Sequence, residues 1–150
     1  MSVVPRSDAA FRFTVRVYYE DTDAGGVVYY ANYLKFFERA RTEWLRALGF
    51  DQSRTAATSG SIFVVRSART DYHRPARLDD TLSIASRIAR VGRASMTFMQ
   101  SCERDGETLV TAEVDVACVN ATSLRPVAMP GEILQALRAS TAAPGRGAAS

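Results

Sequence analysis

The chain has 150 residues, of which 47% are hydrophobic and 23% charged, with a formal net charge of +3. This length and composition predict one soluble globular domain with a substantial core. The apolar runs are too short to span a bilayer, and residues 1–10 lack the apolar segment of a secretory signal, so we expect a cytoplasmic protein. The arginines are scattered along the chain without a basic cluster, which argues against a nucleic-acid partner.

The first periodic segment alternates apolar and polar side chains over residues 11–19, which predicts a half-buried β-strand. From about Tyr30 the apolar spacing becomes that of a helix, which we expect to run about five turns to a stop at Gly49. Asn32 is the predicted N-cap. The apolar stripe predicted to face the core comprises Tyr33, Leu34, Phe37, Trp44, Leu45 and Leu48.

The rest of the chain predicts four more strands, at residues 62–72, 81–91, 94–104 and 108–120. Residues 51–61 are predicted as a connection without regular structure, residues 131–139 as a short helix and residues 140–150 as a disordered tail. A long helix followed by strands that are joined by tight turns favours an α+β fold with an antiparallel sheet, in a single domain at residues 1–139. The edges or outer face of such a sheet need cover, so we expect an oligomer.

Several catalytic solutions are excluded by the residues themselves. His73 is the only histidine, so a multi-histidine metal site is excluded and no metal is expected. The chain has no P-loop, no G-x-S-x-G elbow and no dinucleotide-binding glycine motif. His73 stands apart from any obvious nucleophile or orienting acid, which favours a structural or surface role. Cys102 and Cys118 lie in separate strand-like segments without metal spacing and are predicted as free buried thiols.

The loop between the first strand and the helix is the remaining candidate site. It contains Glu20, Asp21 and Asp23, followed by a pair of glycines that relax the backbone. Acids before a helix are common as a solvated turn and cap, which is one interpretation. In the other, unpaired N–H groups at the helix start donate hydrogen bonds to a developing oxyanion while a carboxylate acts as base or nucleophile. Composition alone leaves both open and slightly favours the first.

Residues 16–46, RVYYEDTDAGGVVYYANYLKFFERARTEWLR, closely resemble the motif region of hotdog-fold acyl-CoA thioesterases of the 4-hydroxybenzoyl-CoA thioesterase and YbgC-like family. The likeness is greatest to the branch encoded with the bacterial Tol-Pal envelope system, and it continues in FVVRSARTDYHRPARLDDTLSI at residues 63–84. The resemblance implies a long central helix wrapped by a curved antiparallel sheet of about five strands. It also implies homodimers, commonly paired into homotetramers, with active sites at the dimer interface.

The resemblance assigns roles to residues of the acidic loop. It implies that Asp23, the second aspartate of the D-T-D motif, is the catalytic carboxylate, as nucleophile or general base. It also implies that the backbone N–H of Tyr30 polarises the thioester carbonyl, while Asp21 fixes the loop. YbgC-like members usually have histidine where this chain has Tyr30, a departure that removes an imidazole but not the backbone N–H. The segment expected to shape the acyl pocket comprises Gly26, Val27, Val28 and Tyr29.

The predicted reaction is hydrolysis of an acyl-CoA thioester to the free acid and coenzyme A, which is part of the substrate, so no separate cofactor is expected. The alternative, prompted by the missing histidine, is a weakly catalytic scaffold that binds acyl groups or acyl-carrier protein beside the Tol-Pal system. A hotdog dehydratase is disfavoured because such sites pair a histidine with an acid, and His73 lies outside the acidic loop. Candidates to hold the coenzyme A phosphates, on chemistry and position alone, are Arg74, Arg77, Arg90 and Arg93.

Overall fold

The computed structural model describes residues 10–149, apart from the side chains of residues 52, 55, 56 and 142–149. The strands form one antiparallel sheet in the order β1-β3-β4-β5-β2. The predicted α+β class with a five-stranded antiparallel sheet is therefore confirmed. The elements in chain order are β1 (Phe11–Arg16), a 3₁₀ turn (Tyr19–Asp21), α1 (Asn32–Ala47), α2 (Gln52–Ser59), β2 (Ser61–Tyr72), β3 (Thr81–Val91), β4 (Ser95–Arg104), β5 (Glu107–Asn120) and α3 (Gly131–Ala149).

Helix α1 packs by an apolar face on β1, β3 and β4. The predicted core positions Tyr33, Phe37 and Trp44 are buried, and Phe36 is buried beside them. Leu34, predicted on the same stripe, is instead 42% exposed. It lies about 100° around the helix from Tyr33, which is near the centre of the buried face. The aromatic stripe therefore holds the helix against the sheet as predicted.

A buried amide fixes the position of α1 on the sheet. Gln100 of β4 donates from Nε2 to the carbonyl of Phe37 (3.0 Å) and to the hydroxyl of Ser86 (2.9 Å). Its Oε1 accepts from Arg41 Nη1 (3.0 Å). Because a buried amide is destabilising unless it is paired, sliding the helix along the sheet would break the bonds to Phe37 and Arg41 together.

Several element ends differ from the sequence prediction. β1 ends at Arg16 rather than at residue 19, and residues 51–61, predicted without regular structure, contain α2. α3 was predicted to end at residue 139 before a disordered tail, but the helix continues to Ala149. The hydroxyls of Ser140 and Thr141 each donate to a carbonyl four residues earlier, at 3.1 and 2.9 Å, so the helical path does not stop at the predicted position. Residue 150 lies outside the described residues.

The sheet has two edges, formed by β1 and β2. β2 is 12 residues long and pairs with β5 on one side, and its exposed apolar side chains include Val64, Val65 and Tyr72.

Within residues 10–149 no helix combines the length and apolar character that a membrane crossing requires.

Candidate active site

The acidic loop closes as a tight hairpin before α1. Thr22 pairs with Val28 across it. Inside the turn, the Asp23 N–H donates to the Val27 carbonyl (2.9 Å) and the Gly26 N–H donates to the Asp23 carbonyl (3.0 Å). Gly26 has a φ of +81°, in the left-handed region that glycine adopts without strain. The hairpin therefore leaves Asp23 at its exposed turn and returns the chain to the core at Val28.

Asp21 joins the loop to the start of α1. Its side chain is buried, and its Oδ2 accepts from the Tyr18 N–H at 2.9 Å. Its carbonyl accepts from Asn32 Nδ2 (2.8 Å) and from the Tyr29 N–H (3.0 Å). Lys35 Nζ lies 3.8 Å from Oδ1. These contacts agree with the predicted role of Asp21 in fixing the loop.

Asn32 differs from its predicted role as the N-cap. Ala31 occupies the cap position, and Asn32 is the first helical residue. Asn32 Nδ2 donates to the Asp21 carbonyl, and no side chain bonds to the N–H groups of the first turn as a cap.

Two amide groups at this uncapped helix start are open. In the described part of the chain, no group accepts from the N–H of Tyr30 or of Ala31. The Tyr29 carbonyl accepts from the Asn32 N–H (2.8 Å) and the Tyr30 carbonyl from the Tyr33 N–H (3.4 Å), so both carbonyls point into the helix. In a trans peptide the N–H points opposite to the carbonyl, so these two N–H groups point outward from the helix start. They carry the partial positive charge that suits a developing oxyanion.

Asp23 is an exposed carboxylate in the hairpin that leads into this helix start. Its Oδ1 accepts from the Gly25 N–H (2.8 Å), which orients the side chain within the hairpin. Among the described residues, no cation lies within ion-pair distance of it. The carboxylate is therefore free to act on an incoming molecule.

A cavity of about 240 Å³ opens next to Tyr30, and we call it the tyrosine cavity. The Tyr72 ring meets Tyr30 edge-on, with centroids 6.1 Å apart, and tilts against Tyr33 at 5.8 Å. The Tyr72 hydroxyl donates to the Tyr30 carbonyl (3.3 Å). Burial raises the pKa of Tyr72, so its hydroxyl stays protonated at neutral pH. The lining residues are Val28, Tyr30, Tyr33, Tyr72, His73, Arg74 and Pro75.

The predicted pocket segment lies only partly on this wall. Val28 lines the tyrosine cavity, and Tyr29 packs against Tyr30 with ring centroids 4.9 Å apart. Gly26 and Val27 belong to the hairpin, where Val27 bridges to Arg77. At the end of β2 the sequence analysis named Arg74 but missed Tyr72, His73 and Pro75 as cavity residues, although an aromatic residue before a break at proline was visible there.

The four candidate arginines divide into two groups. Arg74 lines the tyrosine cavity while its Nε contacts Glu107 (2.7 Å), and Arg77 lies beside the hairpin. Arg90 pairs with Glu113 (3.6 Å) near the other end of β3, roughly 30 Å along the strand from Thr81. Arg93 follows that far end. Of these four arginines, the structure therefore brings only Arg74 to the tyrosine cavity, while Arg77 lies opposite Val27 of the hairpin.

Neither cysteine is a candidate nucleophile. Cys102 and Cys118 are both buried and free, as predicted. Burial raises the pKa of the Cys102 thiol to about 12 and also raises the pKa of Cys118. Since the thiolate is the reactive form, both thiols are inert at neutral pH.

A larger groove, of about 410 Å³, lies on the outer face of the sheet. Charged side chains of both signs line it, including Arg12 and Glu103, which pair at 3.0 Å. No open helix start and no loop of the D-T-D motif reaches it. The chemistry favours the smaller tyrosine cavity.

An ion pair between Arg104 and Asp80 stabilises the loop that contains Pro75 and Arg77. Arg104 donates to the Pro75 carbonyl (3.3 Å) and to Asp80 Oδ2 (2.8 Å), which also accepts from the Arg77 N–H (2.8 Å). Desolvation raises the pKa of Asp80, but the bonds from Arg77 and Arg104 outweigh it, and the pKa lies below its ordinary value. The charged form of Asp80 therefore stabilises this wall of the site.

Comparisons with known proteins identify the family of the chain. Residues 17–137 match the family model described as the thioesterase-like superfamily, and the chain belongs to that superfamily. It is 48% identical over 126 residues to the acyl-CoA thioesterase YbgC of Haemophilus influenzae, which covers 84% of this chain and 93% of the relative. The Helicobacter pylori acyl-CoA thioesterase YbgC is 35% identical over 124 residues, 77% of this chain and 90% of its own.

Solved structures of thioesterases also resemble this chain. A probable thioesterase from Bartonella henselae superposes with a TM-score of 0.77 at 40% identity, covering 81% of this chain and 99% of its own. A DHNA-CoA thioesterase from Staphylococcus aureus reaches a TM-score of 0.85 at 20% identity, over 92% and 95% of the two chains, which shows the shared fold. The predicted hotdog fold and the predicted thioesterase family are confirmed.

We expect Asp80→Asn to lower the free energy of unfolding by about 1 kcal/mol at pH 7 because it removes the charged partner of Arg104. Since the folded-state pKa of Asp80 is lowered, this contribution is present above about pH 4 and is lost as the pH falls through the folded-state value. Urea unfolding at pH 7 and pH 3 measures it. Asp79→Asn, an exposed neighbour, is the control and should change little. A deficit of equal size at both pH values would refute the ionic account.

Proposed function

We propose that the protein hydrolyses an acyl-CoA thioester to the free acid and coenzyme A. The observation that carries this proposal is the outward-pointing N–H pair at Tyr30 and Ala31, where Tyr30 lines an aromatic cavity. The hairpin that leads into this helix start carries the exposed carboxylate of Asp23. The names of the Haemophilus influenzae and Helicobacter pylori relatives, both acyl-CoA thioesterases, support the same substrate class.

The proposed chemistry uses the helix start as an electrophilic site. The Tyr30 N–H donates a hydrogen bond to the thioester carbonyl oxygen and stabilises the charge that develops on it during attack. Asp23 has two roles compatible with its exposed position. As general base it takes a proton from the attacking water, and as nucleophile it forms an anhydride that water then cleaves. Either route breaks the carbon–sulfur bond and releases coenzyme A as the thiol.

The tyrosine side chain at position 30 is compatible with this chemistry. The N–H of the backbone is present whatever the side chain, and the Tyr30 ring forms part of the cavity wall. The acyl group is therefore proposed to lie against Tyr30, Tyr33 and Tyr72. On the phosphate side, Arg74 and Arg77 are the proposed contacts within one chain, since guanidinium groups bind phosphate oxygens in pairs.

We also propose that two chains associate through β2. This edge strand is 12 residues long and carries the exposed Val64 and Val65, and an unpaired edge of this length readily accepts another strand. Pairing two β2 strands would join the sheets and place a second chain beside the end of β2 that contains Tyr72. The partners proposed are thus the acyl-CoA substrate and a second copy of the chain.

The proposed location is the cytoplasm. The two free, buried cysteines are compatible with a reducing compartment.

The competing proposal is a scaffold role in the Tol-Pal system, in which the protein binds acyl-carrier protein without turnover. Measurement of thiol release distinguishes the thioesterase from the scaffold.

We expect Asp23→Asn to lower kcat for acyl-CoA hydrolysis by at least ~100-fold, because the carboxylate supplies the base or the nucleophile. The measurement is thiol release with a panel of acyl-CoA chain lengths. Glu20→Gln, which neutralises another exposed acid of the same loop, is the matched control and should keep kcat within about twofold. Undiminished turnover by Asp23→Asn would overturn the catalytic assignment. Absence of turnover by the wild type, with tight binding of acyl-carrier protein, would favour the scaffold.

We expect the wild-type protein to sediment with a mass of at least twice the 16.4 kDa of the chain. Val65→Glu should shift it toward the single-chain mass, because the substitution places like charges on both copies of the joined edge. Leu124→Glu, at an exposed apolar position outside β2, is the control and should leave the mass unchanged. A wild-type monomer at micromolar concentration, or a Val65→Glu protein with unaltered mass, would contradict association through β2.

A further inference from the structure

Tyr72 is tied to the helix start from a distant part of the chain. It is the last residue of β2, yet its hydroxyl donates to the carbonyl of Tyr30, 42 positions earlier, at 3.3 Å. Its ring contacts Tyr30 and Tyr33 at centroid distances of 6.1 and 5.8 Å. The side chain therefore meets the first turn of α1 with both its ring and its hydroxyl.

The bonded carbonyl belongs to the peptide group that ends in the Ala31 N–H. That N–H is one of the two amides without an acceptor among the described residues, and it points outward from the helix start beside the N–H of Tyr30. A donor on the carbonyl side of a peptide polarises the whole group and strengthens its N–H as a donor. Tyr72 also restrains the plane of that peptide, which sets the direction of the N–H.

We propose that Tyr72 is a positioning residue for the oxyanion site, because its hydroxyl orients and polarises the Tyr30–Ala31 peptide so that the Ala31 N–H becomes a second donor beside the Tyr30 N–H. This inference rests on the proposed thioester hydrolysis and adds a donor and a support to it. A pair of parallel donors suits an oxyanion better than one, because a tetrahedral oxyanion accepts more hydrogen bonds than a ground-state carbonyl.

The side chains of the neighbouring tyrosines, Tyr29 and Tyr33, make other contacts than a bond to the Tyr30–Ala31 peptide. The Tyr33 hydroxyl accepts from the Ala76 N–H (2.9 Å) and so is directed toward the 73–80 loop. Tyr29 contacts the ring of Tyr30 rather than its peptide. Within the described residues, Tyr72 is the side chain that bonds to the peptide group of the helix start.

The Tyr72 hydroxyl is expected to affect catalysis rather than substrate binding. An interaction that strengthens as charge develops on the oxygen lowers the barrier without tightening the bound substrate. Loss of the hydroxyl should therefore lower kcat while KM stays nearly constant. Loss of ring packing would instead weaken the binding of the acyl group and raise KM.

The experiment compares Tyr72→Phe, which removes only the hydroxyl, with Tyr72→Ala, which removes the ring as well. We expect Tyr72→Phe to lower kcat about tenfold with KM within about twofold, since it weakens one donor of a pair whose complete loss costs ~100-fold or more. Its affinity for a ketone analogue of the substrate, with a methylene in place of sulfur, should match the wild type. Tyr72→Ala should lower kcat and also raise KM. Tyr19→Phe, at a tyrosine 82% exposed, is the control and should behave as wild type.

The outcomes are distinct from those of the Asp23 test. If the wild type hydrolyses acyl-CoA and Tyr72→Phe keeps its full kcat, the positioning role is overturned while the proposed function stands. If Tyr72→Phe loses kcat and analogue affinity in equal proportion, the hydroxyl acts in binding and the inference is wrong. If the wild type hydrolyses no acyl-CoA, the proposed function fails and this inference fails with it.

Discussion

The burial of one aromatic face of α1 against the sheet is the constraint on which the site depends. Tyr33, Phe36 and Phe37 are almost fully buried in the first turns of the helix, and Gln100 bonds to the helix backbone at Phe37. A fixed helix has a fixed first turn, and the first turn is where unpaired amides are available. The core thus sets the place and direction of the proposed oxyanion donors.

The loop before the helix keeps that first turn uncapped. A helix start in a protein is ordinarily satisfied by a side-chain oxygen at the cap position. Here Ala31 stands at the cap, and the side chain of Asn32 is directed to the Asp21 carbonyl. Asp21 holds the loop, whereas Asp23 lies exposed in the hairpin turn. The two aspartates of one D-T-D motif therefore have different environments, one structural and one open to solvent.

The parts of the fold that local pattern specifies were predictable from the sequence. Two-residue alternation gave the strands, and 3.6-residue spacing gave α1 with its buried Tyr33 and Trp44. Helix α2 was missed because its Ser-, Thr- and Ala-rich sequence has no clear apolar stripe. The aspartate that precedes it was a usable signal, since Asp51 Oδ1 accepts from the Ser53 N–H at 2.8 Å.

The site was predictable only where its residues are close in the sequence. The motif located Asp23 and Tyr30, but the contact between Tyr72 and Tyr30 depends on how the end of β2 meets the helix, which no local pattern encodes. Arg90 was proposed because it lies near a strand end, yet both ends of β3 are flanked by arginines. The antiparallel pairing of β1 with β3, with Arg16 opposite Thr81, decides which end lies beside the loop that leads to the helix start.

The most direct test of the account is a crystal structure with a non-hydrolysable acyl-CoA in which a methylene replaces the thioester sulfur. The account predicts the ketone oxygen within about 3 Å of the amide nitrogen of Tyr30 or Ala31. It also predicts the carbonyl carbon facing Asp23 and the acyl group in the tyrosine cavity. An acyl group bound in the groove on the outer face of the sheet, or a ketone oxygen distant from both amides, would contradict it.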